Sequence, residues 1–334
     1  MKRTRALITS VLLLTAAGET RAASGGAEPF NFLFLDAGAR PVALGGAYTA
    51  LANDANALLY NPAGLAGVSR NEATFMHNQH FEGITQEYAG FAHASGLGLS
   101  LNLLNSGSVP RTTVSNPDGA GLGETRSSDM ALGAGYGRAL GGSLALGAGL
   151  KFIRESIGGY SGRAFALDVG ALYSPPRIEK LTLGAALQNL GPGVRFQSRR
   201  ERLPLNLRTG AAYGFTLHGQ ESVLALDIMK EYSESILVGI GVETRMVRVM
   251  PIRFGFGTRN DAGPGITAGV GWVLGDLDLD YAFVPYGDLG ISHRISVSWR
   301  FGEDWEMKSG PRRIEGSRKQ AKGRSSPDWI YSPF

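Results

Sequence analysis

Acidic and basic residues recur at alternate positions within otherwise apolar segments of this chain: Asp129, Asp168, Asp227, Asp278 and Asp280, with Lys151, Arg208, Arg253, Arg294 and Arg300. In an extended chain alternate residues share a face, so these charges lie opposite the large apolar side chains. The two signs balance. That predicts internal ion pairs, with Asp168, Asp227, Asp278, Asp280, Lys151, Arg253 and Arg294 as members and with Asp36, Arg40, Asp54 and Arg70 upstream as further partners, rather than a one-sign ring that selects ions. Catalytic constellations are weak. The five histidines are His77, His80, His93, His218 and His293. His77 and His80 have metal-ligand spacing only on a helix, and a strand sends them to opposite faces. Ser292 and His293 point apart for the same reason. The GAGYG phrase at 133–137 lacks the strand–turn–helix setting of a dinucleotide fingerprint. Cysteine is absent, which removes thiolate nucleophiles, thiolate metal sites and disulfides. No enzyme activity, metal or cofactor is expected.

The elements that position these charges read as strands. Leu97, Leu99, Leu101 and Leu103 alternate with Gly98, Ser100 and Asn102; Leu144, Leu146, Ala148, Leu150 and Phe152 alternate with Ala145, Gly147, Gly149 and Lys151. The pattern returns at Phe165, Leu167 and Val169, at Ile252, Phe254 and Phe256, and at Ile295, Val297, Trp299 and Phe301. The second face is too rich in Gly, Ala and Ser for a well-solvated surface, so an outward apolar band around a partly filled lumen is expected. Counting the segments gives about fourteen, an even number as bacterial outer-membrane barrels require. Long connections are expected at one end, at 81–85, 107–126, 156–163, 191–204, 231–234, 258–264 and 285–290. Tight turns are expected at the other, at 95–96, 140–142, 175–180, 216–221, 244–248 and 274–276. Tyr136, Tyr173, Tyr213, Phe215, Trp272, Trp299 and Phe301 cluster near the tight turns, as amphipathic rings do at a membrane interface.

The N-terminus carries Lys2, Arg3 and Arg5, an apolar run over 6–17 and small residues at Ala22 and Ala23, the pattern of a secretory signal peptide over 1–23. That run is shorter than the about 20 residues a spanning helix needs. The 48 glycines are roughly twice the usual share of about 7 % and are not periodic. The net charge of +4 and pI near 9.3 come from scattered Lys and Arg without aromatic interleaving, so nucleic-acid binding is not expected. Residues 302–334 are charged and poor in apolar residues before Trp329, and read as a disordered periplasmic tail.

Residues 34–66, FLDAGARPVALGGAYTALANDANALLYNPAGLA, are neither strand nor tail. The phrases ALGGAYTA and YNPAGLA resemble the N-terminal region of the PorV/PorQ group of outer-membrane barrels, relatives of the FadL long-chain fatty-acid transporters. The resemblance continues in GAALQNLGP, in LPLNLRTGAAYGF and in LDYAFVPYGDLGISHRISVSWRF. It implies an all-β transmembrane barrel over 72–301 in the bacterial outer membrane, with residues 24–71 folded inside as a plug. Gly45 and Gly46 permit close backbone approach, and Asn61, Pro62 and Gly64 set a turn. Leu44, Tyr48, Leu58 and Leu59 are expected to wall an apolar pocket. Hydrophobic small molecules, outer-membrane lipid and lipopolysaccharide are the expected partners, the last met by the Arg-rich connection carrying Arg195, Arg199, Arg200 and Arg202. The resemblance also implies an alternative, a non-transporting barrel that receives or anchors secreted proteins in a type IX-like secretion system.

Overall fold

A computed structural model of the chain describes residues 30–196, 199–231, 235–247 and 249–303. The expected signal peptide, the first residues of the expected plug and all but the start of the expected tail lie outside these residues. The described residues form sixteen strands: β1 Asn71–Gln79, β2 Thr85–Ala92, β3 Leu97–Pro110, β4 Glu124–Leu140, β5 Leu144–Ile157, β6 Tyr160–Tyr173, β7 Leu181–Leu190, β8 Val194–Phe196, β9 Arg199–Glu201, β10 Asn206–Leu217, β11 Gln220–Glu231, β12 Ile236–Val247, β13 Met250–Gly257, β14 Ile266–Leu274, β15 Leu277–Pro285 and β16 Ile291–Phe301. All but β8 and β9 pair antiparallel with their neighbours, and β1 pairs with β16, which closes a fourteen-stranded barrel. β8 and β9 form a separate hairpin in the connection between β7 and β10. No described helix is long and apolar enough to cross a membrane.

The period-two reading assigns the faces. Leu99, Leu150 and Phe165 are 55 %, 63 % and 66 % exposed on the outside, whereas Asn102, Lys151 and Asp168 on the opposite face of the same strands are buried inside. Large apolar side chains turned outward on every barrel strand are costly in water and suit a hydrocarbon surround. Tyr136, Tyr173, Tyr213, Trp272 and Trp299 are exposed near the short-turn ends of their strands. Phe215 and Phe301 are half-buried, the latter stacked on Trp299 with ring centroids 4.7 Å apart.

Two expected connections are corrected. The loop placed at 156–163 is only Gly158 and Gly159, because β5 runs to Ile157 and β6 starts at Tyr160. Both glycines have positive φ, 58° and 92°, which lets a two-residue turn match the strand twist. The loop placed at 107–126 shortens because β3 extends to Pro110 and β4 begins at Glu124. Long connections still gather at one end. The exception is this glycine turn, and on the opposite end the connection between β6 and β7 is longer than a tight turn.

Ahead of β1 the chain makes short helical pieces: a 3-10 turn Asn31–Phe34, α1 Ala39–Ala43, α2 Ala57–Tyr60 and a 3-10 turn Pro62–Gly67. Their side chains are nearly all buried, and Leu44, Tyr48, Leu51, Leu58, Tyr60 and Leu65 form one apolar cluster with Ala212, Val223 and Ala225 of the wall. Each large side chain buried this way contributes roughly 1.5–3 kcal/mol. The segment touches β3–β6 on one side and β13–β16 on the other.

Candidate functional site

The contact between residues 30–68 and the inward face of the strands concentrates the buried polar chemistry of the protein. It begins with two glycines. Gly45 and Gly46 both take left-handed backbone, φ 66° and 77°, which glycine adopts without steric cost. The turn brings backbone against backbone: a Cβ at Gly241 would fall 2.6 Å from the Leu44 carbonyl oxygen, and one at Gly239 2.6 Å from that of Gly45. Thr267 Oγ1 accepts from Gly45 N at 3.1 Å and donates to the Ala43 carbonyl at 3.0 Å.

Beyond the glycines the segment is tied to Asp227. This carboxylate accepts from Tyr48 N at 3.1 Å, Thr49 N at 3.0 Å and Thr49 Oγ1 at 2.5 Å. Arg208 completes the group, with Nη2 at 3.1 Å from Asp227 and 2.7 Å from the Gly46 carbonyl, and Nε donating to Thr49 Oγ1 at 3.0 Å. A second group joins Arg40 to Glu243 at 3.0 Å, Glu243 to Arg253 at 2.6 Å and Arg253 to Asp280 at 2.5 Å. Tyr48 links the two, since its backbone meets Asp227 while its hydroxyl accepts from Arg40 and donates to Asp54 at 2.5 Å.

A third group centres on Asp36, which faces Arg259 at 2.8 Å and Arg208 at 3.7 Å, while Arg294 donates to the Asp36 carbonyl at 3.1 Å. Burial alone would push the Asp36 carboxyl up, but Arg259, Arg208 and Arg294 outweigh it and hold it below the usual carboxylate range. A lowered value makes its contribution full above the unfolded-state pKa of about 3.9 and lost as pH falls through the folded value. Acidification below about pH 4 should therefore raise protease cleavage within residues 30–68, and an Asp36→Asn variant should show less of that pH dependence.

Asn61, Pro62 and Gly64 form the other anchor. Asn61 is fully buried, caps the following 3-10 turn by accepting from Ala63 N at 3.1 Å, and donates to the Thr49 and Ala171 carbonyls at 3.0 Å each. Pro62 sits at the first position of that turn, where a missing N–H costs nothing. Gly64 passes against the Ala52 carbonyl, and Gly147 and Gly170 of the wall lie against Pro62 and Asn61. An Asn61→Ala change strands two buried carbonyls and removes the cap, which should cost about 1–3 kcal/mol and appear as faster proteolysis of this segment with the barrel intact.

The remaining expected residues have separate roles. Lys151 pairs with Asp168 at 2.7 Å and donates to Asn189 at 3.0 Å, tying β5, β6 and β7 together away from the N-terminal segment. Arg300 pairs with Asp278 at 3.0 Å, and Arg70 with Asp276 at 2.6 Å. Leu44, Tyr48 and Leu58 pack against small wall residues, and the space expected beside them is filled. A cavity of about 400 Å³ instead lies at the short-turn end between Ala50, Leu51 and Asn53 and the 174–182 stretch. An apolar groove of about 570 Å³ marks the outer wall between Phe91, Leu99, Leu132, Leu150 and Phe165. Sequence reasoning missed Thr49, Glu231, Glu243 and Arg259. Glu243 shares the alternation of its strand and was legible in principle; Arg259 lies just past β13 and carried no such signal.

Comparison with known proteins fits this geometry. Residues 9–162 match the model of an uncharacterised protein family, UPF0164. A UPF0164 protein of Treponema pallidum is 37 % identical over 99 residues, a stretch that covers 28 % of this chain and 23 % of that protein. Among solved structures, the Ralstonia pickettii toluene transporter TbuX superposes with a TM-score of 0.57 at 13 % identity, covering 80 % of this chain and 98 % of TbuX. The CymD monoaromatic hydrocarbon channel gives 0.58 at 12 % identity with coverages of 80 % and 98 %. The Pseudomonas putida toluene transporter TodX gives 0.54 at 12 % identity with coverages of 80 % and 99 %. These likenesses show that the chain shares the barrel fold of these structures. The PorV/PorQ resemblance rests on sequence phrases alone.

Proposed function

We propose that this chain is an outer-membrane barrel that passes or holds a hydrophobic small molecule, with residues 30–68 as the plug that closes the lumen. The observation that carries the reading is the double anchoring of that segment, by Arg208 and Asp227 on one side and by Asn61 on the other. Among the described residues hydrogen bonds and ion pairs fasten it to the wall, so its shift is a reversible exchange of partners. The outward apolar band supports a membrane setting, and the toluene and hydrocarbon barrels that share the fold support an apolar ligand. The ligand enters at the long-loop end, rests between plug and wall, and leaves when the plug shifts. The long connections face outward in this reading, with the Arg-rich one beside lipopolysaccharide phosphates, which guanidinium groups bind well. A cysteine at Val114, at the tip of the 111–123 connection, should then react with an impermeant maleimide on whole cells.

The test is deletion of residues 30–65 with the signal peptide kept. The shortened chain should still insert as a heat-modifiable, strand-rich barrel, conduct ions in planar bilayers and lose hydrocarbon uptake. A barrel that stays closed with uptake intact ends the plug reading. The dense filling beside Leu44, Tyr48 and Leu58 supports a second role, a non-transporting barrel that receives or anchors secreted proteins. Co-purification of secreted cargo, with no uptake by the full chain, would favour it.

A further inference from the structure

One of the apolar patches on the inner wall lies beside two carboxylates. Ala131, Ile153, Ala164 and Ala166 point inward from β4, β5 and β6 and are buried. Ala131 faces Ile153, and Ile153 faces Ala164, across neighbouring strands. Phe30, Phe32 and Leu33 cover the patch from the N-terminal segment, and Val194 and Leu203 close it from the connection between β7 and β10.

One step toward the long-loop end, Asp129 and Glu155 face each other in register on the same face of β4 and β5. They differ from most other inward carboxylates; Glu72, which among the described residues has no salt bridge either, accepts from Ala55 N at 3.1 Å. Asp168, Asp227, Glu231, Glu243, Asp278 and Asp280 each have a Lys or Arg within salt-bridge distance. Among the described residues Asp129 and Glu155 have none, and Asp129, only 9 % exposed, leaves Oδ1 without any partner. The Glu155 carboxylate accepts from the backbone N–H of Phe30. Phe30 thus places a phenyl ring in the apolar patch and an N–H donor, two carbons from the ring, on a carboxylate. That is the skeleton of an arylalkylamine.

We propose that this niche is a binding site for a hydrophobic ligand bearing a cationic hydrogen-bond donor, an aryl- or alkylammonium ion, which takes the place of Phe30 and discriminates against carboxylates. The inference rests on the transport reading for its route of entry and adds the class of ligand. An ammonium group satisfies the vacant Asp129 oxygen and neutralises the pair. A ligand carboxylate brings a third negative charge into a poorly solvated space, where like charges repel strongly.

The experiment is calorimetry on the purified full chain in neutral detergent, in weakly alkaline buffer, with 2-phenylethylamine, ethylbenzene and 3-phenylpropionate as probes. The amine should bind at least about tenfold more tightly than the carboxylate, with ethylbenzene between them. Asp129→Asn combined with Glu155→Gln should bring the amine to the level of ethylbenzene, and Ile153→Trp, which fills the niche, should remove binding of the amine. Heat-dependent gel mobility verifies that each variant is folded. Equal binding of amine and carboxylate, or amine binding indifferent to the double variant or to Ile153→Trp, overturns the assignment. So does an absence of amine binding. Ethylbenzene binding that persists in those cases, or conduction by the barrel lacking residues 30–65, leaves the transport reading standing while this one falls.

Discussion

Replacing Arg208 with alanine will release the N-terminal segment from the wall while the barrel persists. The guanidinium touches Asp227, Thr49 Oγ1 and the Gly46 carbonyl, lies 3.7 Å from Asp36, and stacks 5.0 Å from the Tyr60 ring centroid. Its side chain is 3 % exposed and that of Asp227 1 %. Removing one member of a buried pair leaves the other charge uncompensated and costs about 3–5 kcal/mol. The barrel ladders do not depend on this side chain, so the loss falls on the segment. Planar-bilayer recordings should show openings absent in the native protein, and protease should cut within residues 30–68. Arg208→Lys should recover only part of the closure, because one ammonium cannot reach three acceptors held by a planar fork. An Arg208→Ala barrel with native conductance and native protease resistance would show that the Asp227 group is not the anchor.

The second large effect is Leu150→Arg. Leu150 lies mid-strand on β5 and is 63 % exposed on the outer face. A basic side chain near the bilayer midplane costs about 2–4 kcal/mol, falling to about 0–1 kcal/mol near the interface. Leu146, close to the short-turn end of the same strand, should therefore tolerate arginine better, and folding into lipid vesicles measures both. Periodicity alone makes the inward neighbour Gly147→Ser an innocuous control. The structure corrects this, since Gly147 is pressed against Pro62 and Ala63. That variant should insert normally and yet displace the 62–67 turn, giving leak without a folding defect. Equal insertion of Leu150→Arg and native protein would remove the lipid-facing assignment of β5.

Which residues face outward and which inward was legible in the chain because strand periodicity is a local property: Leu99, Leu150 and Phe165 alternate with Ser100, Lys151 and Asp168 whatever the rest of the molecule does. The strand number followed from the same count. The loop expected at 156–163 failed because its glycines and serines read as a long connection, whereas Gly158 and Gly159 alone make the turn. Partner identity was a different matter. Lys151 and Asp168 could be named as charged and inward, but their pairing needs the register of β5 against β6 and the irregularity in β7 pairing. Arg40, Glu243, Arg253 and Asp280 come from four elements, and Arg259 reaches Asp36 across most of the chain length. The acidic niche shows the limit most plainly. Asp129 could be read only as an inward charge and Ile153 and Phe30 carried no signal; only barrel closure together with the seating of the first segment, 125 positions before Glu155, brings a phenyl ring and a backbone donor onto a carboxylate without an ion pair. Alternation is encoded in neighbours two residues apart, while a binding site made of distant segments depends on the tertiary packing that decides which of many charge-compatible contacts are close enough to form.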